Sequence, residues 1–94
     1  MNQTLLEECL SSADSISSRK AIDSRISKGY RVEEYLGKSL DLIVSDDDKM
    51  FDALRALKAA DFEHNGNYQN ALRWYYKAVR GKDFPQLNQY KRSL

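Results

Sequence analysis

The stretch EHNGNYQNALRWYYKAV, residues 63–79, sets Asn65-Gly66-Asn67 between two helical patterns and then crowds Trp74, Tyr75 and Tyr76 into a single turn. Asn65 and Gly66 tolerate left-handed backbone and so can stop one helix, while Asn67 is a residue type that caps the next. In that second helix Tyr68, Ala71, Leu72, Tyr75, Ala78 and Val79 recur at i, i+3, i+4, i+7, i+10 and i+11, which puts them on one face of a helix over 67–81. Trp74 and Tyr76 fall about 100° to either side of that face. Arg73, Lys77 and Arg80 line its back. Tyr68 and Tyr75 are therefore packing residues, and Trp74 and Tyr76 boundary residues able to meet a further helix or a partner.

Before the turn, Asp46-Asp47-Asp48 precedes MFDALRALKAADFEH. Carboxylates at a helix N-terminus accept orphan amide hydrogens and complement the dipole, so the triplet reads as the start of a helix over 47–64. A divalent-metal site is the rival reading, but no EF-hand spacing accompanies it. On this helix Met50, Ala53, Leu54, Leu57 and Ala60 share one face, and Phe51, Ala59 and Phe62 another. Two apolar faces call for two neighbours. This is the expected central helix, with the N-terminal helices on one side and the segment after Gly66 on the other.

Ala59-Ala60, Gly66-Asn67-Tyr68, Ala71-Leu72, Tyr75 and Ala78 together resemble the helical hairpin of tetratricopeptide (TPR) repeats. They resemble more closely the first two helices of MIT domains, the microtubule-interacting and trafficking modules. The resemblance covers about residues 50–80. It implies an antiparallel hairpin in which Ala59, Ala71 and Ala78 let two helices approach, Phe62 and Tyr75 fill the space between, and Gly66 makes a tight reversal. The pattern has no second copy, so a single hairpin rather than a solenoid is implied. An MIT domain adds a third helix and a groove for a helical peptide. Here DFPQLNQYKRSL follows Gly81, and Phe84, Leu87, Lys91 and Leu94 have the rough spacing of a short last helix or turn.

In the N-terminal half, Thr4-Leu5-Leu6-Glu7 has the form of a capping box. Leu6, Cys9, Leu10, Ala13 and Ile16 follow at helical spacing, but Ile22 and Ile26 lie about 240° out of phase with Ile16. A helix over 4–28 is thus kinked or split at Ser17-Ser18, with Gly29 as its terminator. Residues 30–45 fit either a helix over 31–44, carrying Gly37 at a cost of about 1 kcal/mol, or a β-hairpin turning at Gly37-Lys38. The helix is preferred because no third strand is visible. The expected fold is all-α, a small four- to five-helix bundle in one domain over 1–94: N-terminal helices in 1–45, the hairpin in 46–81, and a tail or short helix in 82–94. Its expected core holds Leu6, Leu10, Ile16, Leu36, Leu54, Leu57, Phe62, Tyr68, Ala71, Leu72, Tyr75 and Ala78.

The 94 residues, 41% hydrophobic and 31% charged, describe an ordinary soluble chain. No apolar run approaches the roughly 18 residues of a membrane span, and MNQTLLEECL has no basic n-region, so cytoplasm is the default location. A single cysteine and a single histidine exclude an internal disulfide and a Cys/His zinc site. Cys9 lies on an apolar stripe and His64 near a helix C-terminus, which suits packing and dipole complementation. With no nucleophile–base pair or glycine-rich phosphate loop, no catalytic residue and no cofactor is expected.

These features point to a non-enzymatic protein–protein interaction module of adaptor, inhibitor, immunity or accessory type. It would bind a peptide or protein surface through Trp74, Tyr76, Arg73, Lys77 and Arg80, since Trp, Tyr and Arg tend to anchor interfaces. The alternative is nucleic-acid binding. There the stripe of Arg73, Lys77 and Arg80, extended by Lys82, Lys91 and Arg92, would hold a phosphate backbone while Trp74 or Tyr76 stacks on a base.

Charge is unevenly spread. Residues 67–94 hold six Lys/Arg against one Asp, and residues 1–66 nine against thirteen Asp/Glu, dividing the +1 chain into +5 and −4. Such polarity, together with small size, leads to the expectation of a homodimer. Sedimentation at low salt should show a dimer that weakens as salt rises. A monomer at every concentration would remove that expectation.

Overall fold

The computed structural model describes residues 1–16 and 18–91, and among them it contains five helices and no strand. These are α1 (Gln3–Ser11), α2 (Arg19–Leu36), α3 (Leu40–Val44), α4 (Asp47–Lys58) and α5 (Asn67–Arg80), packed as an all-α bundle. Side-chain caps start four of them: Asn2 accepts from the Leu5 amide, Ser18 from Ala21, Ser39 from Asp41, and Asp46 from Asp48 and Lys49. The first cap is therefore Asn2 rather than Thr4. Asn2 is held there by a tertiary bond that no local pattern reveals, its N–H donating to the Tyr75 hydroxyl at 2.8 Å.

The break before Ser18 falls where the phase shift places it; Ser17 lies outside the described residues. Gly29 does not end the helix. It sits buried inside α2, where an added Cβ would stand 2.8 Å from the Met1 sulfur and 3.7 Å from Leu40 Cδ1, so it marks a close approach rather than a stop. The terminator is Gly37, left-handed at φ 65°, whose N–H returns to the Glu33 carbonyl. The expected helices 4–28 and 31–44 are thus redivided as α1, α2 and α3, and the rival β-hairpin does not form.

Helix 47–64 is also shorter than expected. α4 stops at Lys58, and an irregular connection over 59–66 leads to α5 through two left-handed residues, Asn65 at φ 56° and Gly66 at φ 75°. Asn67 is not the cap of α5. The Glu63 carboxylate takes that role from within the connection, accepting from the amides of Tyr68 at 3.0 Å and Gln69 at 3.2 Å.

The central helix is α5, which packs against each of α1, α2, α3 and α4, and not α4 as its two apolar faces imply. Leu6, Leu10, Ile16, Leu54, Leu57, Ala71, Leu72 and Tyr75 are buried as the periodicity requires. Leu36, Phe62, Tyr68 and Ala78 are only half-buried, because Leu36 ends α2, Phe62 belongs to the connection and Tyr68 to the first turn of α5. Tyr76 departs furthest from expectation. Read as a boundary residue, it is 1% exposed and belongs to the core.

On the second apolar face of α4, Phe51 is met by the tail, part of the segment after Gly66. Phe84 is buried, with its ring 5.2 Å from Tyr76 and 5.1 Å from Tyr90, and Tyr90 in turn lies 5.3 Å from Phe51. The Tyr90 hydroxyl donates to Asp48 at 2.6 Å. Residues 82–91 contain a turn at 87–89 and no helix.

Ala71 is fully buried on the face of α5 that the bundle surrounds. Ala71→Leu is expected to overpack that face and destabilise by about 1–3 kcal/mol. Chemical denaturation checks this, and an unchanged midpoint would contradict the placement.

Candidate functional site

The residues singled out on the back and edges of α5 do not form one open surface. Arg73 Nη1 donates to the carbonyls of Phe84 at 2.8 Å and Pro85 at 3.2 Å, and burial draws the pKa of its guanidinium down. Arg80 Nη1 donates to the Val44 carbonyl at 2.8 Å and stands 3.3 Å from Asp47, while its guanidinium lies over the Tyr76 ring. Both arginines therefore bind other parts of the chain to α5. The Tyr76 hydroxyl donates to Asp47 at 2.9 Å. Trp74 and Lys77 remain at the surface edge, both half-buried, with Lys77 Nζ 5.4 Å above the indole and 3.4 Å from Asp83. Lys82 and Lys91 are exposed, and Arg92 lies outside the described residues.

The acidic triplet is similarly committed. Asp46 caps α4, Asp47 receives Tyr76 and Arg80, and Asp48 receives Tyr90. Among the described residues no three His, Cys, Asp or Glu side chains converge as a metal would require. Burial pushes the Cys9 thiol up, opposed by Lys77, so the reactive thiolate is disfavoured. No helix of the described residues is long and apolar enough to cross a membrane.

A second cluster of titratable groups lies where the N-terminus, α2, α3 and α5 meet. The Met1 ammonium is 2.8 Å from Glu33 Oε2 and 3.4 Å from Asp41 Oδ2. Glu33 also accepts from the Leu40 amide at 2.9 Å, and the Tyr75 hydroxyl donates to Asp41. The Tyr75 hydroxyl holds the Asp41 carboxyl below its ordinary range, helped by the ammonium. Burial first, and then Asp41, push Tyr75 up to about 12. The bond to Glu33 raises the ammonium. These three shifts move away from neutrality, so the groups are locked in their pH 7 states rather than poised to exchange protons. The cluster holds the fold together.

A surface that periodicity did not reveal runs along α2. Lys28, Arg31 and Tyr35 share one side of that helix at i, i+3 and i+7 and meet the connection and the start of α5. Tyr35 stands edge-on to Phe62 at 4.8 Å, and Phe62 edge-on to Tyr68 at 4.6 Å. Arg31 lies over the Phe62 ring at 5.2 Å, and Lys28 over Tyr68 at 5.9 Å. Tyr35 is 49% exposed. The spacing of Phe62 and Tyr68 predicts core positions; both are half-buried at this edge, Phe62 in the connection that follows the early end of α4 and Tyr68 in the first turn of α5. Comparison with protein-family models, curated proteins and solved structures finds no match to this chain.

The Asp41 cluster sets a pH dependence. Because the folded pKa of Asp41 is depressed, its stabilisation is complete above the ordinary value of 3.8 and is lost as pH falls below it. Tyr75 acts in the opposite sense. Its folded pKa is raised above the ordinary 10.0 to about 12, so its stabilisation is complete below 10.0 and is lost across that interval as pH rises. Melting temperature should therefore fall at both ends of the pH scale. Asp41→Asn should lower the plateau and flatten the acid limb, and an acid limb of unchanged slope would contradict the assignment.

Proposed function

We propose that the protein is a non-enzymatic interaction module, and that it recognises a protein surface through the aromatic row of Tyr35, Phe62 and Tyr68 with Arg31 and Lys28 laid over the rings. The observation that carries this reading is the composition of the row. Tyr and Arg are the residue types that anchor interfaces, and here they are stacked, partly exposed and supported from beneath by the bundle. Rings already fixed by edge-to-face contacts lose little freedom when a partner covers them. Trp74 with Lys77 forms a second, smaller edge of the same chemical kind.

The protein reading is favoured over the nucleic-acid one by what the α5 arginines already do. Arg73 and Arg80 each donate through Nη1 to backbone carbonyls of this chain, and Lys77 faces Asp83, so the three cations are turned toward groups of the chain rather than along one open track. Likeness to a TPR or MIT hairpin stands as a proposal resting on the sequence pattern alone.

Tyr35→Ala is expected to weaken a captured partner by about 2 kcal/mol while leaving the melting temperature near that of the parent, since Tyr35 lies outside the core. Trp74→Ala should cost less. The measurement is affinity by calorimetry on variants first shown to be folded, with partners captured from nuclease-treated and untreated extract. A folded Tyr35→Ala protein of undiminished affinity would remove the row, and loss of captured material on nuclease treatment would favour nucleic acid.

A further inference from the structure

At one end of the aromatic row, α2 and the first turn of α5 leave a notch of about 210 Å³ lined by Ser24, Arg25, Lys28, Asn67 and Asn70. Its lining carries two cations, one hydroxyl and two amides, and no carboxylate. Arg25 Nη1 donates to the Ala21 carbonyl at 3.2 Å, which leaves further guanidinium hydrogens, while its Nε is buried away from solvent without a hydrogen-bond partner. Lys28 Nζ donates to Ser24 Oγ at 2.6 Å, which leaves two further ammonium hydrogens. The backbone end of α5 plays no part, because Glu63 already holds the Tyr68 and Gln69 amides.

We propose that this notch binds a phosphoryl group, that of a phosphorylated serine or threonine on the protein partner that covers the aromatic row. Two cations with amide and hydroxyl groups around them suit one tetrahedral dianion. A run of nucleic-acid phosphates would need a longer basic track. Space equal to several water volumes accommodates a phosphoryl group with part of its hydration. Lys28 belongs to both features, lining the notch and lying over Tyr68, so a peptide could place its phosphate in the notch and its flanking side chains on the rings. The choice of a peptide rests on the proposed function; binding of a phosphoryl group does not.

The test is a ¹⁵N NMR titration with N-acetyl-phosphoserine amide, with the unphosphorylated amide and with sulfate at matched ionic strength as references. Saturable shifts confined to the amides of residues 24–28 and 67–70 are expected with the phosphorylated probe alone. Arg25→Gln and Lys28→Gln should each weaken it by about tenfold or more, and Lys20→Gln, exposed and outside the notch, should not. The two notch variants are made because Arg25 is partly buried and its replacement can unfold the chain, whereas Lys28 gives the same comparison from the other cation. Shifts that stay linear to about 20 mM, or equal affinity in a folded Lys28→Gln protein, would overturn the site. Saturation by inorganic phosphate but not by the serine probe, or tighter binding of a 5′-phosphorylated oligonucleotide, would overturn the peptide source. Tyr35→Ala should leave probe binding unchanged, so failure of the notch and failure of the row are read separately.

Discussion

Two adjacent tyrosines of one helix, Tyr75 and Tyr76, are buried to 0% and 1% exposure, and each brings a phenolic hydroxyl that needs a partner away from water. Adjacent helical positions point about 100° apart, so the two partners have to come from different sides. α3 supplies Asp41 for Tyr75, and the start of α4 supplies Asp47 for Tyr76. The rest follows from meeting both demands. α3 is short and sits between two caps so that Asp41 can face α5, and the Asp46-Asp47-Asp48 turn lies against the C-terminal half of α5, where Arg80 closes it from the other side. The N-terminus completes the first site through Met1 and Asn2, with Glu33 of α2 receiving the Met1 ammonium.

The same commitment separates structural from available chemistry. Arginines that look like a basic stripe in the sequence are drawn inward to carbonyls at the ends of neighbouring elements, where a guanidinium satisfies several acceptors at once. Lys28 and Arg31 of α2, by contrast, lie beside rings the bundle does not fully cover. The proposed interaction surface and the notch at its end are thus what remains when internal demands have been met.

Much of this was legible in the residues. The all-helical class, the break before Ser18, the left-handed turn at Asn65-Gly66 that leads into α5 and the buried face of α5 follow from spacing and from backbone preferences. What spacing could not show was which glycine stops α2. Gly29 and Gly37 are equal as local signals, and the difference lies in Met1 and Leu40 packing over the first. Likewise a Tyr beside a buried face reads as a boundary residue unless its acceptor is known, and Asp47 is 29 residues away in sequence. Of the candidate surface, Trp74 and Lys77 could be anticipated. The row of Tyr35, Phe62 and Tyr68 could not, because it joins three elements and depends on α4 ending at Lys58.

That α5 is the pillar of the bundle has a consequence for how the chain comes together in time. It is the fifth of the five helices in chain order, and α1 through α4 each rest on it. A nascent chain that has reached residue 66 holds four helical segments that pack in part on one another, α1 on α2 and α3 on α4, but lack the helix that all four share. The bond from the Asn2 amide to Tyr75 closes over 73 residues, so even the first helix waits for the fifth. Helical proteins usually fold quickly because their contacts are local. Here each of the first four helices gains its contacts with α5 only after that helix has been made.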